Sequence, residues 1–179
     1  MAKTYTDNPG GYGVNGTQVI DESGNLMSGI VNGLVDSDAM DAALLKSVTV
    51  TLTPTTIVGT TAGDIASTGG AVAVAAEAGK IHLFDSAVFS YNFDTAAYTG
   101  GGDDLVIRQG TTAMTAPIAK ADLLSDTEDD IAFVSALSAA DIKLTANSTL
   151  NIYAGTAYTQ PGTAAGTCKV TIFYRTVEA

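Results

Sequence analysis

The stretch from residue 80 to residue 110 constrains the fold more than any other part of the chain. Its first half alternates between apolar and polar side chains, with Ala87, Phe89, Tyr91 and Phe93 on one side and Ser86, Ser90 and Asn92 on the other. A period of two with aromatic residues is typical of a half-buried strand. Three glycines at 100–102 permit a turn, and Leu105 begins a second apolar run. The pattern predicts a long β-hairpin, or two neighbouring strands, around which the rest is organised.

Residues 47–179 continue this β pattern and form the predicted body. Val48, Val50 and Leu52 alternate with threonines until Pro54, which we expect to end that strand. Further short apolar runs, separated by turn residues, lie at 71–76, 114–118, 131–137, 142–144, 150–153 and 169–177. Residues 121–124 and 139–143 have the composition of single helical turns. About eight short strands with almost no helix favour an all-β fold, a β-sandwich or jelly roll, over a βαβ fold.

Residues 1–46 differ in character and are predicted to be an extended N-terminal arm with one short helix. Glycine and asparagine are frequent, so the arm buries little core and should become ordered against the body, a sister subunit or a partner; the alternative is a flexible tail. The residues expected to contact a partner are Tyr5, Tyr12, Val19, Ile20, Leu26 and Ile30. The short helix is predicted at 36–46 (DSDAMDAALLK), which begins with acidic residues and ends on a lysine.

The charge balance limits the partners of this chain. The net charge is −11, which opposes binding to nucleic acid and to anionic membranes, so we expect neither as a partner. Charged residues make up only 15% of the chain, below the usual quarter. The surfaces are therefore either neutral or buried between copies of the chain, and we favour the second. The first thirteen residues lack the apolar core of a signal peptide, and no apolar run reaches membrane-spanning length.

No motif in the sequence predicts catalysis, a cofactor or a metal site. The lone thiol, Cys168, lies in an apolar strand pattern and is expected in the core. The only histidine, His82, has no second histidine to share a metal and is expected to be structural. The run GYGVNG at 11–16 fits G-x-G-x-x-G, but Asp7, Asn8 and Pro9 precede it and residues 17–20 follow with a β-like pattern where a dinucleotide site needs a helix, so we interpret it as a glycine-rich arm. We expect that the protein is not an enzyme.

One acidic cluster is a candidate cation site. Asp126, Glu128, Asp129 and Asp130 lie within five residues, and Ca²⁺ prefers carboxylate oxygens. The spacing and the glycine of an EF-hand are missing, so we favour a solvated loop over calcium binding.

Three stretches of the body resemble a known protein class. They are residues 53–64 (TPTTIVGTTAGD), residues 91–108 (YNFDTAAYTGGGDDLVIR) and residues 159–175 (TQPGTAAGTCKVTIFYR). With them, residues 47–179 resemble small virion structural proteins of tailed bacteriophages, the head-decoration or cement proteins. Residues 17–26 (TQVIDESGNL) are similar to the beginnings of phage fibre and decoration subunits.

The resemblance implies a fold, a location and partners. It implies a β-sandwich, often a jelly roll, that assembles as a homotrimer on the outer capsid surface of the virion and binds the major capsid protein. The class has no catalytic residues. The alternative is a phage tail or fibre component, or a module that attaches to host glycans, since the same architecture serves both. A bacterial carbohydrate-active or carbohydrate-binding module is a third interpretation, which the lack of tryptophan disfavours.

Overall fold

The computed structural model describes residues 5–8, 11–14 and 17–18, and then residues 44–100, 104–138, 144–160 and 166–179. The chain divides into two compact units, Met1–Ala43 and Leu44–Ala179. In the first unit, β1 (Tyr5–Asn8), β2 (Gly11–Val14) and β3 (Thr17–Gln18) form an antiparallel sheet in chain order.

The predicted arm residues are only partly described. Tyr5 lies in β1 opposite Val14, and Tyr12 lies in β2 opposite Asp7. The other predicted contact residues, Val19, Ile20, Leu26 and Ile30, lie outside the described residues, as does 36–43 of the predicted helix. The end of that helix prediction is wrong, because Lys46 is the first residue of a strand. It pairs with Tyr174, so long-range pairing overrides the local helical pattern there.

The described residues of the second unit form eight strands in two four-stranded antiparallel sheets, which confirms the all-β prediction. The strands are β4 (Lys46–Leu52), β5 (Ala71–Val74), β6 (Lys80–Asn92), β7 (Val106–Gln109), β8 (Thr112–Ala113), β9 (Asp130–Ser135), β10 (Leu150–Tyr153) and β11 (Thr167–Glu178). One sheet has the order β4-β11-β6-β9 and the other β5-β10-β7-β8. The pairs β4–β11, β5–β10, β6–β9 and β7–β8 are therefore nested: the first strand pairs with the last, the second with the last but one, and so on inward.

Two short helical segments interrupt the strands. Pro54 ends β4, as predicted, and also begins α1 (Pro54–Val58), which the sequence pattern did not indicate. The Thr53 hydroxyl accepts a hydrogen bond from the Thr56 N–H at 3.4 Å, and proline is favourable at a first helical position, where its missing N–H costs nothing. A 3₁₀ turn at Lys120–Asp122 overlaps the predicted turn at 121–124, whereas 139–143 lies outside the described residues.

The predicted pairing of the two halves of residues 80–110 is wrong. Strand β6 pairs with β11 and β9, whereas β7 belongs to the other sheet. The connection between them is long, and Tyr98 anchors it: its N–H donates to the Leu124 carbonyl at 3.1 Å, and its buried hydroxyl donates to the Gly166 carbonyl at 2.6 Å. A connection held in this way crosses between sheets instead of forming a hairpin. The predicted strand at 114–118 is reduced to a single bridge between Ile118 and Leu105.

The alternation predicted for β6 is confirmed, with one interruption. Ala87, Phe89 and Tyr91 are buried. The ladder between β6 and β11 shifts register near Asp85: Phe173 lies opposite Ser86, whereas Tyr174 lies opposite Phe84. The extra residue, Asp85, forms a β-bulge, so that even-numbered residues point inward before it and odd-numbered residues after it.

Both sheets of the second unit contribute to one hydrophobic core. Its fully buried members include Leu52, Phe89, Ile107, Leu150, Ile152, Val170 and Ile172. A polar link runs between the sheets as well, since the buried Gln109 of β7 donates its Nε2 hydrogen to the His82 carbonyl of β6 at 2.8 Å. Apolar burial is the main stabilising term, and this link satisfies polar groups that would otherwise be buried alone.

Candidate interaction surface

The outward side of the sheet β4-β11-β6-β9 is a regular surface, which we call the outer face. Strand register arranges its side chains in three rows, each crossing β4, β11, β6 and β9 in turn. The rows are Thr51–Lys169–Ser90–Ile131, Thr49–Thr171–Val88–Phe133 and Ser47–Phe173–Ser86–Ser135. The opposite side of the same strands packs into the core, so the outer face is the side that is free to meet a partner.

The outer face carries little charge. Of the twelve side chains in its three rows, one is charged, Lys169, and none is acidic. The whole chain has 19 acidic residues and a net charge of −11, so the acidic side chains are placed elsewhere. Hydroxyl groups fill much of the surface, and the Thr49 and Thr171 hydroxyls lie 2.9 Å apart in a cross-strand hydrogen bond. A flat face with so few charges can be covered by another protein at a low desolvation cost.

The apolar part of the outer face is concentrated on β9, at one edge of the sheet. Ile131 and Phe133 are 70% and 67% exposed, the highest values among the large apolar side chains of the described residues. Beside them on β6, Val88 is only partly buried. Large apolar side chains at this exposure, adjacent on one strand, mark an interaction site more often than isolated ones do.

The backbone of β9 is also open along this edge as far as Ser135, beyond which the Leu137 N–H donates to the Met114 carbonyl at 2.9 Å. The Ala136 N–H donates to the Asp85 carbonyl of β6 at 3.0 Å, and antiparallel hydrogen bonds alternate along a strand. Ala132 and Val134 are therefore in phase with Ala136, and the N–H and C=O groups of Ile131, Phe133 and Ser135 point away from β6. The Ile131 N–H is held by the Asp130 carboxylate at 2.6 Å.

The predicted acidic cluster lies immediately before and at the start of β9. Its carboxylates bind nearby backbone groups: Asp126 accepts from the Thr127 N–H at 2.6 Å, Asp129 from the Phe93 N–H at 2.9 Å, and Asp130 from Ile131. Among the residues that the structure describes, no group of three or more His, Cys, Asp or Glu side chains could hold a metal ion. Three of the four predicted carboxylates, those of Asp126, Asp129 and Asp130, therefore bind backbone N–H groups of this loop and of the adjoining strand ends.

His82 and Cys168 both lie in the interior. The His82 ring lies between the Ala75 carbonyl, 2.9 Å from Nε2, and the Thr176 hydroxyl, 3.4 Å from Nδ1, and meets Tyr174 edge-on at 5.5 Å. Cys168 is fully buried in β11, which confirms its predicted place in the core. Burial raises the pKa of its thiol to about 12, so the nucleophilic thiolate is absent at neutral pH.

The other sheet carries a small polar cluster on its outward side. The Arg108 guanidinium stacks on the Tyr153 ring at 3.8 Å, and the buried Asn151 Oδ1 beside them has no hydrogen-bond partner in the described part of the chain. A cleft of about 330 Å³ near the start of β5 is lined by hydroxyl groups and glycines, among them Thr60, Ser67 and Gly70. No Asp, Glu, His, Lys, Arg, Cys or Tyr side chain is among the residues that line this cleft.

In comparisons with known proteins, no protein-family model, no curated protein and no solved structure matches the chain. In the described residues, the helices are all too short or too polar to cross a membrane.

The sequence pattern pointed to the strands that carry the outer face, but not to the face itself. In β9, Ile131 and Phe133 lie on one side of the strand, and Ala132 and Val134 lie on the other. The run IAFVSAL therefore has apolar residues on both sides. The signal that was available is the lack of any charged residue between Asp130 and Leu137 in so acidic a chain. Which side of β9 faces the core depends on β6, against which it is paired.

Proposed function

We propose that this protein is a virion structural protein of a tailed bacteriophage, a decoration or cement protein that binds the outside of the head. Its outer face would lie on the major capsid protein and bridge neighbouring shell subunits. It would act as a homotrimer without catalytic residues or cofactors, on the capsid surface.

The observation that carries this proposal is the composition of the outer face. A protein that cements a shell needs a broad, flat surface that can be covered without burying unpaired charges. The outer face is the surface of a four-stranded sheet with one charge in twelve positions, on a chain with a net charge of −11. The acidic side chains elsewhere would keep unbound copies soluble and away from packaged DNA.

The nested strand pairing supports the finer proposal that the second unit is a β-sandwich of the jelly-roll type. A jelly roll is an eight-stranded hairpin rolled up so that successive pairs fall alternately into two sheets. Here β4–β11 and β6–β9 fall into one sheet, and β5–β10 and β7–β8 into the other. Jelly rolls occur in viral capsid and lectin domains, so this topology agrees with a virion role without deciding it.

The proposed stabilisation is a linkage effect. A protein that binds the assembled shell, and not its separated subunits, adds its binding free energy to the shell's stability. When this protein bridges two shell subunits, separating them also requires breaking its interface with one of them, which adds to the free energy of separation. Short strands of the first unit, such as β1 and β2, would extend the grip by adding to exposed sheet edges of the shell.

The first experiment is the copy number of this chain in purified particles, measured by quantitative mass spectrometry against the major shell protein. We expect a copy number comparable to that of the shell protein. A handful of copies would overturn the decoration role in favour of a tail or fibre component. Absence from particles would overturn both virion roles.

A charge placed on the outer face tests the surface directly. We expect Thr51→Lys combined with Thr171→Lys to reduce the amount of protein retained on decorated heads by at least tenfold, because two charges would be buried without partners. The matched control is Ala76→Lys combined with Ala78→Lys, which adds two lysines at exposed positions outside the three rows. Equal retention of both variants, with both folded by circular dichroism, would contradict the proposed binding face.

A further inference from the structure

We propose that β9 is a self-association site, at which two copies of this chain pair their β9 edges antiparallel about a two-fold axis through Phe133. The paired sheets would form one continuous sheet of eight strands. This inference concerns the isolated protein and does not rest on the proposed function.

The open backbone groups of β9 fix the register of such a pair. The outward N–H and C=O groups of β9 belong to Ile131, Phe133 and Ser135. In a pair of identical strands, the partner must offer the N–H and C=O groups of the same three residues. Pairing Phe133 with the partner's Phe133, and Ile131 with the partner's Ser135, brings all three positions of each strand into hydrogen-bonded pairs. Any other two-fold register leaves at least one of these positions without a counterpart within the strand.

The side chains suit this register. Phe133 and the partner's Phe133 would lie directly opposite each other on the outer face, with Ile131 diagonal to them. Both side chains are more than two-thirds exposed in a single copy. Aromatic and β-branched cross-strand neighbours contribute favourably, and the contact would cover the largest apolar side chains that the described residues leave exposed.

The charges favour an antiparallel pair of copies over a parallel pair. Acidic residues are concentrated just before and at the start of β9, while residues 131–138 carry no charge. An antiparallel pair places each acidic end beside the uncharged end of the other strand, with Asp130 opposite the partner's Ala136. A parallel pair would align both acidic ends and is disfavoured by repulsion.

The strand itself lacks the usual protection against this pairing. Exposed edges are generally blocked by lysine, proline, an inward-pointing charge or a covering segment. Between Ile131 and Ser135 there is no charge and no proline. Two contacts limit this edge: Asp130 accepts from the Ile131 N–H, and just beyond β9 the Leu137 N–H donates to the Met114 carbonyl at 2.9 Å, so the open part is Ile131–Ser135.

The contact is expected to be weak on its own. Five paired residues cover much less than the roughly 800 Å² per partner of a standard interface, so we expect a dissociation constant on the order of 10 μM or weaker. A two-fold contact joins only two copies. If other contacts hold three copies together as a trimer, the β9 contact would be separate from them and would link two trimers.

The test is the mass of the full chain at concentrations up to several hundred micromolar, by sedimentation equilibrium. We expect Phe133→Lys to halve the limiting number of copies, from two to one or from six to three. Thr51→Lys adds the same charge to the same face at the opposite edge and should leave the number unchanged. An unchanged copy number in the Phe133→Lys protein would overturn the proposal, as would a wild-type chain that stays a single copy.

A crosslink tests the axis. Opposed residues of a hydrogen-bonded pair have Cα atoms about 5.5 Å apart, within disulfide range. We expect Phe133→Cys to form a covalent dimer under mild oxidation at least tenfold faster than Thr51→Cys. The buried Cys168 supplies no competing thiol, and the wild-type chain controls for it. Equal rates would show that β9 does not pair with the β9 of a second copy, and would overturn the proposal.

Discussion

The two edge strands of one sheet, β4 and β9, differ in what they present to the surroundings. β4 begins with Lys46, turns Ser47, Thr49 and Thr51 outward, and is followed by Pro54. β9 turns Ile131 and Phe133 outward. The inward Val48 and Val50 of β4 are partly buried, as are Ala132 and Val134 of β9, so the two strands differ in anchoring only through Leu52, which is fully buried at the end of β4.

This difference indicates that the sheet has one protected edge and one open edge. Lysine and a following proline limit the addition of a further strand, and β4 has both. β9 has neither and has no fully buried residue to match Leu52, so it is the edge at which the sheet can be extended. An asymmetric sheet of this kind limits association to one side, which favours closed assemblies over open fibres.

The largest expected effect tests the difference in anchoring. Leu52→Ala should lower the free energy of unfolding by about 2–5 kcal/mol, because it leaves a cavity under β4. Val134→Ala should cost about 1 kcal/mol or less, because the side chain is only partly buried and its site can relax. Urea unfolding followed by circular dichroism measures both. Equal losses would show that β9 is anchored as firmly as β4.

The next effect concerns Cys168, which lies opposite Leu52 in the ladder between β11 and β4. Burial raises the pKa of its thiol from 9.0 to about 12, so the unfolded chain loses this proton at lower pH than the folded chain. The contribution of the protonated Cys168 thiol to the free energy of unfolding is complete below pH 9. It decreases by about 1.4 kcal/mol per pH unit as the pH rises from there toward 12. Unfolding of wild type and Cys168→Ala between pH 8 and pH 11 should show the steeper loss in wild type; parallel curves would contradict the buried thiol.

A smaller effect tests what restrains the open edge. Asp130→Ala should strengthen self-association about 25-fold, because in a two-fold pair it frees the Ile131 N–H of both copies, each hydrogen bond contributing about 1 kcal/mol, and removes a negative charge from each. Asp130→Asn removes the charge but keeps an acceptor for the same N–H, so it should have a smaller effect. Sedimentation equilibrium measures both. If the asparagine variant associates as strongly as the alanine variant, charge and not the N–H restrains the edge.

The smallest effect concerns the protected edge. Thr49→Ala removes the hydroxyl that bonds Thr171 across β4 and β11, and should cost about 0.2–1 kcal/mol of stability with no change in association. Thr51→Ala, one row away beside Lys169, is the matched control. A change in the number of associated copies for either variant would show that β4 also takes part in self-association.

The sequence by itself predicted the strand-rich class and most strand positions, because alternation reflects local burial. β9, β10 and β11 lie within a few residues of the predicted runs at 131–137, 150–153 and 169–177. Pro54 ended β4 as expected, since a proline cannot donate to the ladder. The core place of Cys168 also followed from its apolar neighbours.

Tertiary structure alone decided which strands are neighbours and which side chains remain exposed. A period of two identifies a strand but not its partner, so β6 and β7 were expected together and lie in different sheets. The bulge at Asp85 reverses the inward phase within one strand, which no local pattern indicates. In β9 both phases are apolar, and only pairing with β6 buries Ala132 and Val134 and leaves Ile131 and Phe133 outside, because register assigns a side chain to one face or the other.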